Sequence, residues 1–440
     1  MRFVFSRRFY VLFALGLIPL SLSWQLPFLR AFVLVFDALL VALAVADYLL
    51  SRTVPEDFRV RREFDRRFAI NDENRVHLKI ENATSRDFHL KVKDEYPPEM
   101  ILKDDREAEF TVPAQKEADF YYTLTPPRRG RYRFGRTALR FRSRLGLVWC
   151  QTELGEAQTV KVYPNMRRAR EMELKALGAQ SFLAIQRKSM RRGEGREFES
   201  MRDYVRGDEL RHVSWTATAR RSKLITRQYQ IERDQTVMIA LDAGRLMTGR
   251  IDDETKFDTA IHASLALMSA CARAGDNCGL TVFGRRVKKY LPPKKGIEHV
   301  DAVLEALHDL EPELIEPSYA RAFQFIASNT KKRSFVVILT DLVDKESSKE
   351  LINSLKLLRP RHLPLVVTIR DRDLNATVSE TPKEIKDVFT QSAAEEIIHQ
   401  REAALRMVET LGGLALDVTS ATLAPRLLET YLRVKERGLL

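Results

Sequence analysis

Cysteine is scarce in this chain of 440 residues. Only Cys150, Cys271 and Cys278 occur, which is an odd number with wide spacing and no metal-ligand pattern. A disulfide framework requires paired cysteines in an oxidising compartment, so the composition favours a reducing one.

Signatures of catalysis are missing as well. The sequence shows no Ser-His-Asp order, no HExxH pair and no Cys-His couple, and its eight histidines are scattered. Gly193-Glu194-Gly195 lacks the G-x-x-x-x-G-K-S/T pattern of a phosphate-binding loop, and no predicted strand precedes it. We therefore predict no catalytic residue. The alternative is a hydrolase that uses Glu197 or Asp208 as an acid or base.

Acidic residues are too few to balance the basic ones, and the formal net charge is +13. Such a charge suits nucleic acid, acidic proteins or an anionic lipid surface. The most basic short segment contains few base-stacking aromatics, and acids are interleaved along the region around it. We therefore expect membrane lipids, and no specific nucleic acid, as partners of this segment; an anionic-polymer binder is the less favoured alternative. Its basic residues are Arg220, Arg221, Lys223 and Arg227.

Charge is absent from long stretches only near the N-terminus. Residues 9–29 contain no charge, and residues 31–50 are interrupted only by Asp37 and Asp47. Each run has about the 20 residues that a membrane-spanning helix requires. Pro27 lies between the runs and separates them into two helices. We predict a transmembrane hairpin, with Asp47 within reach of the headgroups and Asp37 in a polar contact inside the hairpin or between protomers.

Arginines predict the orientation of this hairpin. They precede the first run and follow the second, and only one lies in the turn, so the positive-inside rule places both ends in the cytoplasm. A twin-arginine export signal is the rival interpretation, but no A-x-A-like cleavage site follows and a second apolar run comes at once. We expect a multi-pass protein of the bacterial inner membrane with cytoplasmic soluble domains. The flanking residues are Arg2, Arg7, Arg8, Arg52, Arg59, Arg61 and Arg62, and the turn holds Arg30.

Apolar residues alternate with period two from about residue 58 to residue 164. Val76, Leu78 and Ile80 share one face of a predicted strand, and similar short runs recur between turn residues. This spacing is typical of a β-sandwich. We interpret the region as a structural or protein-binding module.

Strands and helices alternate in the C-terminal region. Short apolar strands are predicted near residues 236–241, 278–283, 334–340, 363–369 and 414–418, with amphipathic helices between them. This order predicts a mostly parallel sheet covered on both faces, whose ligands bind beyond the carboxyl ends of the strands. Asp242 and Asp341 follow two of these strands and are expected at that edge.

The chain is thus predicted to be multidomain. The predicted order is a transmembrane hairpin at 1–54, a β-sandwich at 55–165, a connecting arm at 166–235 and an α/β domain at 236–440.

The strands that end in Asp242 and Asp341 resemble those of the von Willebrand factor A domain. That domain holds a divalent ion with a D-x-S-x-S motif, a threonine and a further aspartate, because Mg²⁺ prefers oxygen ligands. The resemblance implies a degenerate metal site of Asp242, Asp341 and Ser318, the last in place of the threonine. We expect no cofactor and at most weak Mg²⁺ binding, since both motif serines are replaced. The motif here reads Asp242-Ala243-Gly244-Arg245-Leu246.

The connecting arm adds a second resemblance, to the signature of the domain of unknown function 58 family. The family's members resemble this chain from end to end, and they imply a membrane adaptor that acts with a MoxR-type AAA+ ATPase on unknown client proteins. The signature residues are Gly193, Gly195, Glu197, Phe198, Ser200, Arg202, Tyr204, Gly207, Asp208, Arg211, Trp215, Ala219 and Arg220.

Two physical roles are expected of these residues. In the arm, the charged signature residues are predicted to form a network over Tyr204 and Trp215 that locks the arm onto the α/β domain. At the sheet edge, Arg245 is predicted to pair with Asp341 or with a partner's acid, where relatives use a metal.

Overall fold

A computed structural model describes the chain at residues 2–22, 28–51, 57–64, 67–171, 197–205, 208–230, 235–251, 254–342, 345–359, 361–382 and 384–439. The chain divides into two compact units, Met1–Tyr163 and Pro164–Leu440.

The first unit begins with a short strand and two helices. Strand β1 (Arg2–Phe5) precedes helix α1 (Arg7–Leu22) and helix α2 (Phe28–Leu50). Among the described residues, α2 alone is long and apolar enough to cross a membrane, with 23 residues and a mean hydropathy of 2.4 in its most apolar window. The structure therefore shows one candidate spanning helix, and α1 as described has 16 residues.

The two helices pack closely because α1 carries a glycine at the contact. A Cβ atom on Gly16 would lie 2.6 Å from the ring of Phe36 and 3.2 Å from Asp37 Oδ1. Asp37 Oδ1 is buried there and has no hydrogen-bond partner among the described residues.

The rest of the first unit consists of short strands in three sheets. The sheet orders are β1-β11-β10-β5-β7, β2-β4-β8-β6 and β3-β12-β9, and all pairs except β3–β12 are antiparallel. The predicted alternation is confirmed, since Val76, Leu78 and Ile80 are buried in a core shared by strands of all three sheets. The strands are β2 (Phe58–Phe64), β3 (Phe68–Ala69), β4 (Asn74–Asn82), β5 (Phe88–Lys93), β6 (Ile101–Leu102), β7 (Glu107–Val112), β8 (Glu117–Thr125), β9 (Gly130–Phe134), β10 (Thr137–Arg142), β11 (Val148–Leu154) and β12 (Gln158–Tyr163).

Asp47 fixes α2 to this β-rich region. Its Oδ2 accepts hydrogen bonds from Ser143 Oγ at 2.5 Å and from the Leu147 amide at 3.2 Å, and its Oδ1 accepts one from the Leu145 amide at 2.9 Å. The side chain is fully buried by the turn between β10 and β11. The expectation that Asp47 reaches the headgroups is therefore wrong.

After a helical segment at residues 166–171, the second unit contains a two-stranded ribbon. Antiparallel strands β13 (Glu197–Asp203) and β14 (Ile225–Gln230) enclose a 3₁₀ turn at Leu210–His212 and helix α3 (Trp215–Arg221). Residues 172–196 of the predicted connecting arm lie outside the described residues.

A six-stranded sheet forms the body of this unit and confirms the α/β prediction. Its order is β19-β18-β15-β20-β21-β22, and only β19 is antiparallel to its neighbour. The strands are β15 (Thr236–Asp242), β16 (Arg250–Ile251), β17 (Glu254–Thr255), β18 (Asn277–Phe283), β19 (Val287–Lys294), β20 (Phe335–Thr340), β21 (Leu363–Arg370) and β22 (Leu414–Thr419), of which β16 and β17 form a separate hairpin.

Helices cover the sheet, and its apolar residues enter two buried clusters, one on each face. A 3₁₀ turn at Arg245–Thr248 follows β15. The helices are α4 (Lys256–Ala274), α5 (Ile297–Leu307), α6 (Tyr319–Asn329), α7 (Lys345–Leu358), α8 (Arg372–Ser379), α9 (Ile385–Thr410) and α10 (Ser420–Glu436).

Candidate functional site at the carboxyl edge of the sheet

The parallel register of β15 and β20 brings two aspartates to one edge. Leu241 pairs with Leu339, so Asp242 and Asp341 follow neighbouring strands at nearly the same level. Both carboxylates are almost fully buried, at 1% exposure each. A buried carboxylate is costly unless it is paired or hydrogen-bonded, so the groups around each one decide what the edge can do.

Asp242 is surrounded by uncharged donors. Its Oδ2 accepts hydrogen bonds from Thr340 Oγ1 at 2.6 Å and from the Tyr319 hydroxyl at 3.3 Å, and its Oδ1 accepts one from the Gly244 amide at 2.7 Å. Burial raises the pKa of this carboxyl from its ordinary 3.8 to about 6, and these hydrogen bonds oppose the rise only in part.

Asp341 is surrounded by cations instead. Lys256 Nζ donates to its Oδ2 at 2.6 Å, and Arg401 Nη2 donates to its Oδ1 at 2.5 Å. Lys256 is fixed at the start of α4, where the Thr255 side chain caps the helix and the Lys256 amide bonds the Gly249 carbonyl. Both cations are largely buried, so the aspartate is part of an internal ion cluster.

A third aspartate extends this cluster to the end of β22. Arg401 Nε lies 3.3 Å from Asp417 Oδ1, and Arg401 Nη2 also donates to the Ile369 carbonyl at 2.9 Å. Arg370 binds Asp417 Oδ2 through both Nε and Nη2, at 2.9 and 2.6 Å. The cluster therefore links the carboxyl ends of β20, β21 and β22 to helix α9.

These contacts fit a divalent ion poorly. Lys256 and Arg401 already bond the two carboxylate oxygens of Asp341. In the loop after β15, the missing serine would not fit at the position of Gly244. A Cβ atom on Gly244 would lie 2.7 Å from Pro317 Cδ and 3.1 Å from the Ile315 carbonyl oxygen. Among the described residues, no group of three or more His, Cys, Asp or Glu side chains has a metal-binding arrangement.

Ser318 and Arg245, two residues predicted at the edge, contact neither Asp242 nor Asp341 through the hydrogen bonds and ion pairs described. Ser318 Oγ lies 3.3 Å from Glu350 Oε1, and the hydroxyls that contact Asp242 belong to Tyr319 and Thr340. Arg245 is exposed and pairs with Glu316, so its predicted pairing with Asp341 is wrong. Arg401 and Lys256 occupy that position.

The described part of the signature shows one well-ordered charge pair. Arg202 Nη2 donates to Asp208 Oδ1 at 2.7 Å, and the Val205 amide donates to Asp208 Oδ2 at 3.0 Å. The Val205 hydrogen bond and then Arg202 lower the pKa of Asp208, which holds it as a carboxylate. This pairing disfavours Asp208 as the acid of a hydrolase.

Other signature residues depart from the predicted network. Trp215 is 65% exposed at the start of α3 and does not pack beneath the charges. Arg211 pairs with its neighbour Glu209, Arg220 is exposed, and Tyr204 is half-buried, with its amide bonded to the Leu224 carbonyl. Gly193, Gly195 and Gly207 lie outside the described residues, whereas Glu197 and Phe198 are placed as backbone in β13.

The sequence analysis missed the residues that complete the edge. Tyr319 and Thr340 are ordinary helix and strand residues in the sequence, and Lys256 and Arg401 carry charges that helices commonly expose. Their proximity arises from the packing of separate elements, and no local pattern encodes it. One further signal is present in the sequence, because Ile385, Val388 and Phe389 follow helical spacing.

Comparison with known proteins identifies the matching region. Residues 200–407 match the family model described as protein of unknown function DUF58. The DUF58 match begins in the signature and includes Asp242, Asp341 and Arg401.

Two bacterial relatives are similar to part of the chain. An uncharacterized protein of Mycobacterium tuberculosis is 23% identical over 215 residues, which cover 47% of this chain and 64% of the relative. The uncharacterized protein YeaD of Bacillus subtilis is 21% identical over 141 residues, or 32% of this chain and 33% of the relative. The chain thus spans less than two thirds of the length of these relatives.

Solved structures give only a distant likeness. The crystal structure of the conserved hypothetical protein BatB from Bacteroides thetaiotaomicron has a TM-score of 0.33 and 12% identity. That likeness covers 46% of this chain and 99% of BatB.

Proposed function

We propose that this protein is a non-enzymatic membrane adaptor. Its C-terminal region acts as a von Willebrand factor A-like domain whose carboxyl edge binds a cytosolic protein. The resemblance given above favours a MoxR-type AAA+ ATPase as that protein, in the assembly or maturation of unknown clients. The observation that carries the binding role is an exposed apolar surface on helix α9, beside the edge.

Helix α9 extends beyond the sheet. Arg401 contacts the Ile369 carbonyl near the end of β21, while α9 begins at Ile385. The 16 residue steps from Ile385 to Arg401 correspond to about 24 Å of helix at 1.5 Å per residue. Residues 384–390 are all exposed, so the first two turns of α9 form a projection that we call the spur.

The spur presents large apolar side chains to solvent. Ile385 is 78% exposed, Val388 48% and Phe389 72%. Residues at i, i+3 and i+4 lie on one face of a helix, so these three form a continuous surface. Solvent-exposed apolar clusters on a helix are typical of protein-binding sites.

Acidic residues accompany this surface and indicate the chemistry of the partner. Glu384 caps α9, and Asp387 bonds the Glu384 amide in return at 3.0 Å. Both are exposed beside the apolar side chains, as is Lys386, so the charged residues of the spur are two acids and one base. A partner surface with an apolar pocket and basic residues at its margin would complement the spur.

Helix α9 connects the edge to the spur, so a structural change at the edge can reach the spur through this one helix. Arg401 lies in the ion cluster with Asp341, and the same helix carries Ile385 and Phe389. The internal cations support an edge that works without a divalent ion, in contrast to metal-dependent von Willebrand factor A domains. The buried carboxylates then have a structural role, and the spur supplies the contact surface.

Membrane anchorage is the second part of the proposal. Strand β1 pairs with β11, and Ser6 Oγ donates to the Gly146 carbonyl at 2.7 Å, close to where Asp47 is held. The start of α1 and the end of α2 are therefore both fixed to one turn of the β-rich region. This supports a hairpin that crosses the inner membrane twice and returns to the cytoplasmic side, with the β-rich region acting as a β-sandwich spacer.

Capture of the ATPase by the full-length chain tests the adaptor role. The chain and the ATPase are co-expressed, extracted from membranes in mild detergent and isolated through a tag on the chain. We expect recovery of the ATPase with the unmodified chain and its loss with the double variant Ile385→Ser/Phe389→Ser, because the spur loses most of its apolar area.

Ile297→Ser is the matched control. Ile297 is 62% exposed at the start of α5, after β19 has returned to the opposite edge of the sheet. Recovery that falls equally in both variants would assign the effect to general destabilisation. Absence of any AAA+ protein from captures with the unmodified chain would overturn the ATPase assignment, and unchanged capture with the double variant would overturn the spur as its contact.

A further inference from the structure

The signature region contains a second exposed surface, and this one is basic. Residues 210–227 include five Lys or Arg residues and no Asp or Glu. Arg220, Arg221, Lys223 and Arg227 are all exposed, at the end of α3 and along β14. The segment is therefore a compact cationic surface.

Large apolar side chains are exposed on the same segment. Trp215 is 65% exposed, Leu210 66% and Leu224 41%. They are exposed although the segment has an interior of its own, since Val213 and Ile225 are 6% and 2% exposed. The segment therefore has two sets of apolar residues, one buried and one exposed. Packing within the segment explains the buried set but not the exposed one.

Backbone hydrogen bonds hold the outer residues in one small structure. The Ser214 amide bonds the Ile225 carbonyl at 2.8 Å, next to Trp215. The Tyr204 amide bonds the Leu224 carbonyl at 2.9 Å, and the Val213 amide bonds the Leu210 carbonyl at 3.1 Å. Leu210, Trp215 and Leu224 therefore belong to a single folded element together with the basic residues, and we call this set the signature face.

We infer that the signature face docks on an anionic lipid bilayer. A tryptophan among arginines and lysines is the side-chain combination favoured at the membrane interface, where the indole enters the headgroup region and the cations bind lipid phosphates. Each Lys or Arg near an anionic surface contributes about 1 kcal/mol, so several together suffice for reversible docking. Lipid is favoured over an acidic protein because the apolar side chains lie among the cations of one short segment.

This inference rests on the membrane anchorage proposed above. Anchorage of the same chain raises the effective concentration of lipid for the signature face, so weak docking becomes significant. The spur and the signature face are tested by different measurements, capture of a protein and contact with lipid. Failure of one does not imply failure of the other.

Tryptophan quenching in reconstituted full-length protein tests the docking. The chain is placed in nanodiscs that contain phosphatidylcholine with or without brominated phosphatidylglycerol, and the emission that Trp215→Phe removes is assigned to Trp215. We expect that emission to shift to shorter wavelength and to be quenched at least about twofold in the anionic discs, with recovery at high salt, because screening weakens the contact. Brominated phosphatidylcholine should quench it much less.

Charge variants supply the second measurement. Arg220→Gln/Arg221→Gln should abolish the quenching of Trp215, whereas Lys331→Gln/Lys332→Gln removes two exposed cations elsewhere and should leave it unchanged. Equal quenching by both lipids, or none by either, would overturn the inference. It would also be overturned if Trp215 became shielded only when a protein or nucleic acid was added to the discs.

Discussion

Asp242 and Asp341 end neighbouring strands of one sheet, but different forces hold the two carboxylates. Asp242 is bonded to hydroxyls and an amide, and burial raises its pKa to about 6. Asp341 is bonded to Lys256 and Arg401, which supply two positive charges at 2.6 and 2.5 Å. The resemblance to a metal site implied that both are metal ligands. In the structure, Asp242 is bonded to neutral donors and Asp341 is bonded to cations. Residue type and position on a strand therefore do not determine the chemistry of a sheet edge.

Removal of the Asp341 carboxylate should have the largest effect. Asp341→Ala leaves Lys256 and Arg401 buried without their common partner, and breaking a buried ion pair costs about 3–5 kcal/mol. We expect hydrogen exchange of β15 and β20 to accelerate strongly in the full-length protein, because these central strands then open more often. The double variant Asp341→Leu/Arg401→Met removes one charge of each sign but leaves Lys256 without its partner, so it should recover only part of the loss. Equal protection in Asp341→Ala and the unmodified chain would contradict the ion cluster.

Asp242→Asn should have the opposite effect and increase the free energy of unfolding at neutral pH. The rise of the Asp242 pKa from 3.8 to about 6 means that the folded state holds the proton more tightly than the unfolded state. The free energy of unfolding therefore decreases as the pH rises from about 4 to about 6, by at most roughly 3 kcal/mol. Asparagine keeps an oxygen for the Gly244 amide and carries no charge, so β15 should become more protected than in the unmodified chain above pH 6. Thermal unfolding of the second unit at pH 4 and pH 7 gives an independent measure.

Asp242→Ala is the control for that result. It removes the charge but leaves Thr340 Oγ1 and the Gly244 amide without their acceptor, and an unsatisfied buried donor costs about 1–3 kcal/mol. Alanine should therefore fail to stabilise where asparagine does. If both variants protect β15 equally, the hydrogen bonds to Asp242 contribute nothing. If asparagine destabilises at every pH, the cost of burying the carboxylate does not exceed the stabilisation from its hydrogen bonds.

A smaller and local effect is expected in the signature ribbon. Asp208→Asn weakens the bonds to Arg202 and the Val205 amide, so amide exchange in β13 and β14 should accelerate a few-fold. The pKa of Asp208 is lowered in the folded state, so its contribution is present at neutral pH and is lost as the pH falls below its ordinary value of 3.8. The difference between variant and unmodified chain should thus disappear in acid. A difference that does not decrease at all as the pH falls below 3.8 would show that the charge is not its cause.

The arrangement of the α/β region was largely predictable, because its strands are continuous apolar runs between amphipathic helices. Thr236–Asp242 and Phe335–Thr340 match their predicted strands within a residue or two, and their parallel pairing brings Asp242 and Asp341 together as expected. Local periodicity is sufficient for such elements, since each is specified by its own residues.

The environment of the two aspartates was not predictable in this way. Arg401 reaches Asp341 from a helix 60 residues away in the sequence. Trp215 follows the opposite pattern, since an aromatic residue in a mixed segment was expected to be packed but is exposed. Helix α9 begins at Ile385, and the helical spacing of Ile385, Val388 and Phe389 there lies on an exposed surface. Helical spacing of apolar residues therefore predicts the helix but does not show whether its apolar face is buried.

Removal of the exposed ion pair between Arg245 and Glu316 should have the smallest effect on stability among these substitutions. Both side chains are about half exposed, and such pairs contribute about 0–1 kcal/mol because water screens them and both side chains lose freedom. We expect Arg245→Ala to leave the exchange of β15 and β20 nearly unchanged, in contrast to Asp341→Ala. If the edge itself binds protein, Arg245→Ala should reduce capture of the ATPase and leave the stability nearly unchanged. A loss of protection as large as that of Asp341→Ala would show that Arg245 belongs to the internal cluster, and the division of this edge into buried and exposed charges would then be wrong.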